Sequence, residues 1–195
     1  MTKRVLIIGS GETERRVLPV LLRRLRDEGI YAEDVRIPSG GGSLTLKTVV
    51  RIARAAWFET NAVGQAPDKL VVLVDANGKS TDDAIAELES PLTGRLGELP
   101  LTVRVAAAKR HLEAWFFGDE EGLRAYLGRN LGNVDASAPD DIRDPKHHLR
   151  NLLAGELYTA RIAEEIARRV APEAIYGRSA SFANFVDTVR NGANL

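Results

Sequence analysis

The sequence contains no cysteine in its 195 residues. That excludes a disulfide framework, thiolate metal centres and a cysteine nucleophile, and leaves oxygen and imidazole as the only metal donors. Net charge is lacking too: 27 basic and 27 acidic residues cancel. No overall field draws such a molecule onto a polyanion, so any nucleic-acid role has to rest on local patches. Apolar runs of membrane-spanning length are missing, the strongest ending at Gly9 and Asp75. The opening Met1-Thr2-Lys3-Arg4-Val5 has neither the long apolar region nor the small-residue cleavage site of a signal peptide. The chain is therefore expected to start directly with structure and to reside in the cytoplasm, with no membrane partner. Internal repeats and low-complexity segments are also lacking. What remains, 44% hydrophobic and 28% charged residues, is the composition of a globular protein with one sizeable core.

The hydrophobic pattern alternates between two kinds of element. Val5-Leu6-Ile7-Ile8 is a fully apolar run before a glycine-bracketed turn, the signature of a buried central strand that delivers a loop at its carboxyl end. Thr13 is the expected N-cap of the following helix, whose apolar stripe is Val17, Leu18, Leu21, Leu22 and Leu25; Pro19 either marks where regular bonding begins or kinks it, and Gly29 ends it. Ala32 to Ile37 reads as a second strand, followed by the loop Ser39-Gly40-Gly41-Gly42-Ser43 and a helix with Leu46, Val49, Val50, Ala53 and Trp57 on one face. Leu70 to Val74 is the clearest strand and ends at Asp75; Ser80 caps the next helix. Leu101 to Ala107 is the fourth strand, with a helix expected through Lys109 to Phe117. Strands separated by helices of this length imply right-handed crossovers and a mostly parallel sheet covered on both faces. The expected fold is thus α/β over residues 1–128. A helical C-terminal extension over 129–195 packs on it, marked by a polar loop from Gly132 to Asp144, by Tyr158, Ile162, Ile166 and Val170 at every fourth residue, and by Phe182, Phe185, Val186 and Val189.

Two glycine-loop motifs match their patterns only in part. After Gly9-Ser10-Gly11 a dinucleotide-binding turn needs a third glycine where Glu14 stands, and Glu12 and Glu14 would repel a pyrophosphate. Gly78-Lys79-Ser80 resembles the tail of a phosphate-binding loop, but the required upstream glycine is Leu73. Acids are more informative. Glu12 and Glu14 follow the first strand, Asp75 and Asn77 the third, and in a parallel sheet both loops open on the edge where ligands bind. Such oxygens suit magnesium or manganese, which hold phosphate oxygens and activate water. Glu113, among apolar neighbours, is expected either to reach solvent at the cleft or to pair with a base such as Lys109 or Arg110, whereas Trp115 and Phe116 read as core. His111, His147 and His148 have no metal-binding spacing. Arg15, Arg16, Arg23, Arg24 and Arg26 read as a solvated helix face; Arg143, Lys146, His147, His148 and Arg150 form a second basic patch, in which Lys146 is a phosphate contact or a loop cap. Ser10 has no histidine partner positioned to make it a nucleophile.

The stretch Ser10-Gly11-Glu12-Thr13-Glu14 after one strand, with Asp75-Ala76-Asn77 after another, is similar to the TOPRIM domain of topoisomerases, primases and OLD-type nucleases. Lys109-Arg110-His111-Leu112-Glu113-Ala114-Trp115, Asp144-Pro145-Lys146, Tyr158 and Ser179-Ala180-Ser181-Phe182 narrow the match. Together they resemble a TOPRIM-like bacterial family of uncharacterised proteins, often encoded beside an ABC-type ATPase in phage-defence operons. Where that family has its principal metal-binding glutamate this chain has Ser10, and the second Asp of Asp-x-Asp is Asn77. Both changes remove negative charge from the expected metal site.

The resemblance implies metal-dependent cleavage of nucleic-acid phosphodiesters with an OLD-like ABC-type ATPase as partner. Glu12, Glu14, Asp75 and Asn77 would be the ligands of magnesium or manganese, and Glu12, Glu14, Asp75, Glu113 and Lys146 the catalytic set. The alternative is a catalytically degenerate TOPRIM-like subunit that binds the ATPase or senses an invader. Nucleic acid and a homo-oligomeric assembly stay open as further partners, and nucleotide binding through Gly78-Lys79-Ser80 is a third reading.

Overall fold

A computed structural model of the chain describes residues 2–132 and 134–191. Met1, Asn133 and residues 192–195, which fall in the expected amino-terminal start, polar loop and C-terminal extension, lie outside the described residues. Four parallel strands, β1 (Lys3–Ile8), β2 (Ile30–Arg36), β3 (Lys69–Asp75) and β4 (Thr102–Ala108), form a sheet in the order β2-β1-β3-β4. Between them run α1 (Glu12–Leu21), α2 (Leu46–Asn61) and α3 (Thr81–Leu96). The α/β fold with a parallel sheet is therefore as the sequence implied. None of the helices described is long and apolar enough to cross a membrane.

Strand periodicity divides the core in two. Val5, Ile7, Val71, Leu73, Ala106 and Ala108 face one side of the sheet, and Leu6, Ile8, Leu70, Val72, Val103 and Val105 face the other, because successive side chains point to opposite faces. The second side is closed by the aliphatic stripes of α2 and α3, through Val49, Ala53, Leu88 and Leu92. The first is closed by α1 and by the later helices α4 (Glu113–Phe116), α5 (Glu120–Leu127), α6 (Pro145–Leu152), α7 (Ala160–Ala167), α8 (Pro172–Arg178) and α9 (Ala180–Arg190). Trp115 sits at the centre of this layer, fully buried, stacked on Phe185 at 5.5 Å and edge-on to Phe182 at 5.0 Å. Its indole N–H donates to Ser181 Oγ at 2.8 Å. Asp140 in turn accepts from Ser179 Oγ, Ser181 Oγ and the Ser181 N–H at 2.7–2.8 Å. The Ser179 to Phe182 stretch is thus a structural joint, a fully answered buried polar network.

Three local expectations are corrected. The N-cap of α1 is Gly11, not Thr13, because the Glu14 side chain folds back to accept the Gly11 N–H at 3.1 Å. Pro19 neither starts nor visibly divides α1; the helix runs through it and stops two residues later, giving way to the 3-10 turn Arg23–Glu28 that Gly29 closes with φ 77°. The helix expected from Lys109 to Phe117 is confined to α4, since Lys109 to Leu112 are held as a bend at the carboxyl edge.

Candidate functional site

In the order β2-β1-β3-β4 the chain leaves β1 in one direction along the sheet and later returns on its other side to form β3. The crevice between their carboxyl ends is the topological switch point, where ligands enter open α/β sheets. A cavity of about 490 Å³ lies there, bounded by residues 10–14, by Gly40 to Gly42, by Asp75, by His111 to Glu113 and by Lys146. The glycine loop is its wall, fastened where the Gly42 N–H donates to the Ser10 carbonyl at 2.9 Å.

Glu14 enters the cavity from the first turn of α1 and is only 9% exposed. Its Oε1 accepts from Ser10 Oγ at 2.6 Å. Burial holds its carboxyl above the usual range, with Asp75 and Glu113 pushing the same way and the Ser10 hydrogen bond opposing them. The close approach has a steric condition: a Cβ on Gly9 would lie 2.6 Å from Glu14 Cβ, so glycine is required there.

Asp75 ends β3, paired in register with Ala108 of β4. That register carries His111, three residues on, to the neighbouring position, where its Nδ1 lies 3.1 Å from Asp75 Oδ2. The Asp75 carboxylate raises the imidazole above its ordinary pKa. Sequence spacing missed His111 because its partner is on another strand; the adjacency of two parallel strand ends is the signal that could have found it.

Glu113 opens α4 at 3% exposure, and its partners are neither Lys109 nor Arg110. Lys146 Nζ stands 3.2 Å from Glu113 Oε1, and the Tyr158 hydroxyl donates to the same oxygen at 3.0 Å. Burial and the adjacent Glu113 push the Tyr158 phenol far up, fixing it as a donor. Lys109 instead pairs with Asp141 at 2.5 Å, and Arg110 approaches Gly78. Of the second basic patch, Lys146 alone lines this cavity, while His147 contacts Asn151 on the exposed face of α6.

Glu12 and Asn77 stand apart from this group. Glu12 is at the rim, its side chain 49% exposed and paired with Arg15 at 2.7 Å. Two helical positions separate it from Glu14, about 200° around the axis, so Glu12 borders the cavity at its edge while Glu14 enters it. Asn77 has φ 51°, and its amide donates back to the Asp75 carbonyl at 3.3 Å. Lys79 pairs with Glu87 at 3.2 Å on the surface. Among the described residues no three His, Asp or Glu side chains form a ready-made metal shell. The donor chemistry nevertheless fits a hard cation: Glu14 and Asp75 supply carboxylate oxygens at one crevice, and a positive ion there would offset the burial, and the smaller repulsion from Asp75 and Glu113, that raise Glu14.

The chain is similar to two solved structures in particular. The C-terminal region of the Burkholderia pseudomallei OLD protein is 19% identical, with 97% of this chain and 98% of that one covered and a TM-score of 0.47. The C-terminal region of the Xanthomonas campestris pv. campestris OLD protein is 18% identical, with 97% of each chain covered and a TM-score of 0.47. No curated protein matches. One family of uncharacterised proteins matches residues 11–190, in keeping with the resemblance read from the sequence. The chain belongs to that family, described as Domain of unknown function (DUF4276).

Proposed function

We propose that the chain is a TOPRIM-like module that cleaves nucleic-acid phosphodiesters with the help of magnesium or manganese, and that it works beside an ABC-type ATPase in phage defence. The observation that carries the chemistry is the convergence of Glu14, Asp75 and Glu113, with Lys146 and His111, on one cavity at the switch point of a parallel sheet. Glu14 and Asp75 are the residues that would hold the cation. The chemistry such an ion would supply there is Lewis-acid stabilisation of phosphate charge and a lowered pKa for the attacking water. The chain's own residues do the positioning. Lys146, steadied by Glu113 and by the Tyr158 ring 5.9 Å from its Nζ, contacts a non-bridging phosphate oxygen. His111 orients the Asp75 carboxylate, Ser10 and the Gly11 N–H orient that of Glu14, and the glycine loop lets backbone approach the substrate.

The test is a calorimetric titration of manganese into the protein and its Asp75→Ala variant, followed by an oligonucleotide cleavage assay. Binding lost in the variant, with cleavage reduced about 100-fold or more, is the expected result. Absence of both binding at millimolar manganese and cleavage would sink the proposal.

A second reading, a catalytically degenerate subunit of the ATPase, is favoured by one specific observation. Each acid already has an internal partner: Glu12 has Arg15, Glu14 has Ser10, Asp75 has His111 and Glu113 has Lys146. It predicts no manganese binding by the isolated chain and retention of the ATPase by the Asp75→Ala variant.

A further inference from the structure

The chain has no net charge, yet its cations are not spent evenly. On α1 and the turn after it, Arg15, Arg16, Arg24 and Arg26 each face a glutamate, respectively Glu12, Glu164, Glu173 and Glu33. The other face of the sheet differs. Lys47, Arg51 and Arg54 recur on α2 at the i, i+4, i+7 spacing that places them on one stripe, and Arg95 lies across from them in the last turn of α3. With Leu46 and Val50 these four line a groove of about 560 Å³. All four are exposed. Arg54 has Glu98 at 2.6 Å, but among the described residues no ion pair engages Lys47, Arg51 or Arg95, and no carboxylate lines the groove.

The groove starts beside the site. Ser43 and Leu44, just before α2, border a hollow of about 470 Å³ together with Ser10, Asp75 and Asn77. From there the stripe runs back along α2 for about 10 Å, the length of about three nucleotides of one strand.

We infer that this groove between α2 and α3 seats the phosphate backbone of a nucleic-acid strand as it leads to the cleft. The inference deepens the phosphodiesterase reading and rests on it. A strand presents one negative charge per step along a line, which is how Lys47, Arg51 and Arg54 are laid out. An acidic protein surface, the other polyanion that four cations could meet, has no such regularity. Leu46 and Val50 give sugars and base edges an apolar floor between the charges.

The test is fluorescence anisotropy of a labelled single-stranded DNA of about 20 nucleotides, in EDTA so that nothing is cleaved. The proteins are the wild type, the triple variant Lys47→Ala/Arg51→Ala/Arg95→Ala, the conservative Arg51→Lys, and Asp75→Ala. The triple variant is expected to bind about tenfold or more weakly, with the slope of log K against log salt shallower by about 2. Arg51→Lys, which keeps the charge, is expected to bind as the wild type does, and Asp75→Ala, which takes a negative charge from the cleft, at least as tightly; circular dichroism is expected to give the groove variants the wild-type melting curve. Equal affinity and slope in the triple variant overturn the inference, as does failure of the wild type to bind DNA. So does displacement of the DNA by polyglutamate at equal charge concentration. Manganese-dependent cleavage is scored separately. Stripe-dependent binding by a wild type that never cleaves retires the phosphodiesterase reading alone, whereas cleavage with unchanged KM in the triple variant retires the groove alone.

Discussion

Both ends of the sheet enclose charge, and they answer it differently. At the amino end Lys69 is buried at the start of β3, where its ammonium donates to the Thr188 and Asn191 carbonyls at the end of α9. Lys3 donates to the Arg190 carbonyl of the same helix end at 2.9 Å. Cations there meet the negative pole of a helix and the last carbonyls it leaves free. At the carboxyl end Glu14, Asp75 and Glu113 share one cavity, and burial with mutual repulsion raises Glu14. The amino end answers its charge with backbone carbonyls; the carboxyl end answers it with side chains, Ser10 for Glu14, His111 for Asp75 and Lys146 for Glu113. At both ends burial and neighbouring like charge disfavour the ionised form, of Lys69 at one and of Glu14 at the other.

Glu14→Gln separates the two ends most sharply. Removing the anion is expected to reduce manganese-dependent cleavage about 100-fold or more, yet to raise the melting temperature at pH 7. The sign follows from linkage: a carboxyl whose folded pKa lies above its unfolded value near 4.5 favours folding when protonated and loses that contribution as pH rises through this range. The gain in the variant should therefore vanish at pH 4. A melting temperature that falls at pH 7 would mean that the carboxylate is structural.

Lys69→Met probes the opposite end. Two helix-terminal carbonyls lose a charged donor, and urea unfolding at pH 7 is expected to show a loss of about 2 kcal/mol. Burial, with Lys3 and Arg104 nearby, brings the Lys69 ammonium from 10.5 down to about 8. Between those values the unfolded chain holds a proton that the folded chain does not, so this group's contribution to stability rises with pH across that window. The difference between wild type and variant should widen from pH 8 to pH 10; a constant difference would show that Lys69 keeps an ordinary pKa.

The smallest effect belongs to the rim. Arg15→Ala breaks the exposed pair with Glu12 and is expected to change stability by no more than about 0.5 kcal/mol, with manganese affinity unaltered. A change in affinity would bring Glu12 into the site.

The sheet was legible because Val5 to Ile8 and Leu70 to Val74 are unbroken apolar runs that only a strand buried on both faces requires. Glu14 and Asp75 were legible as strand-end acids. The orientation of Glu12 was not: it depends on Glu14 turning back to Gly11 to begin α1 there, a choice between two neighbouring glutamates that composition cannot make. Nor was Glu113 with Lys146, since the pairing joins α4 to the first turn of α6 past α5 and a polar loop, with no periodicity linking the two. The helix expected over Lys109 to Phe117 shows propensity yielding to tertiary contacts, because a helix from Lys109 onward would not leave His111 beside Asp75.

The Lys69 contact also bears on how the protein is made. Its two acceptors lie 119 and 122 residues further along the chain. A ribosome delivers β1, β2 and β3 long before it delivers Thr188 and Asn191, so through most of translation the ammonium that ends up enclosed remains hydrated. Chains halted before α9 keep that lysine in water and leave Trp115 without Phe182 and Phe185, which makes them substrates for chaperones and proteases. Only a chain synthesised through α9 closes the sheet from below.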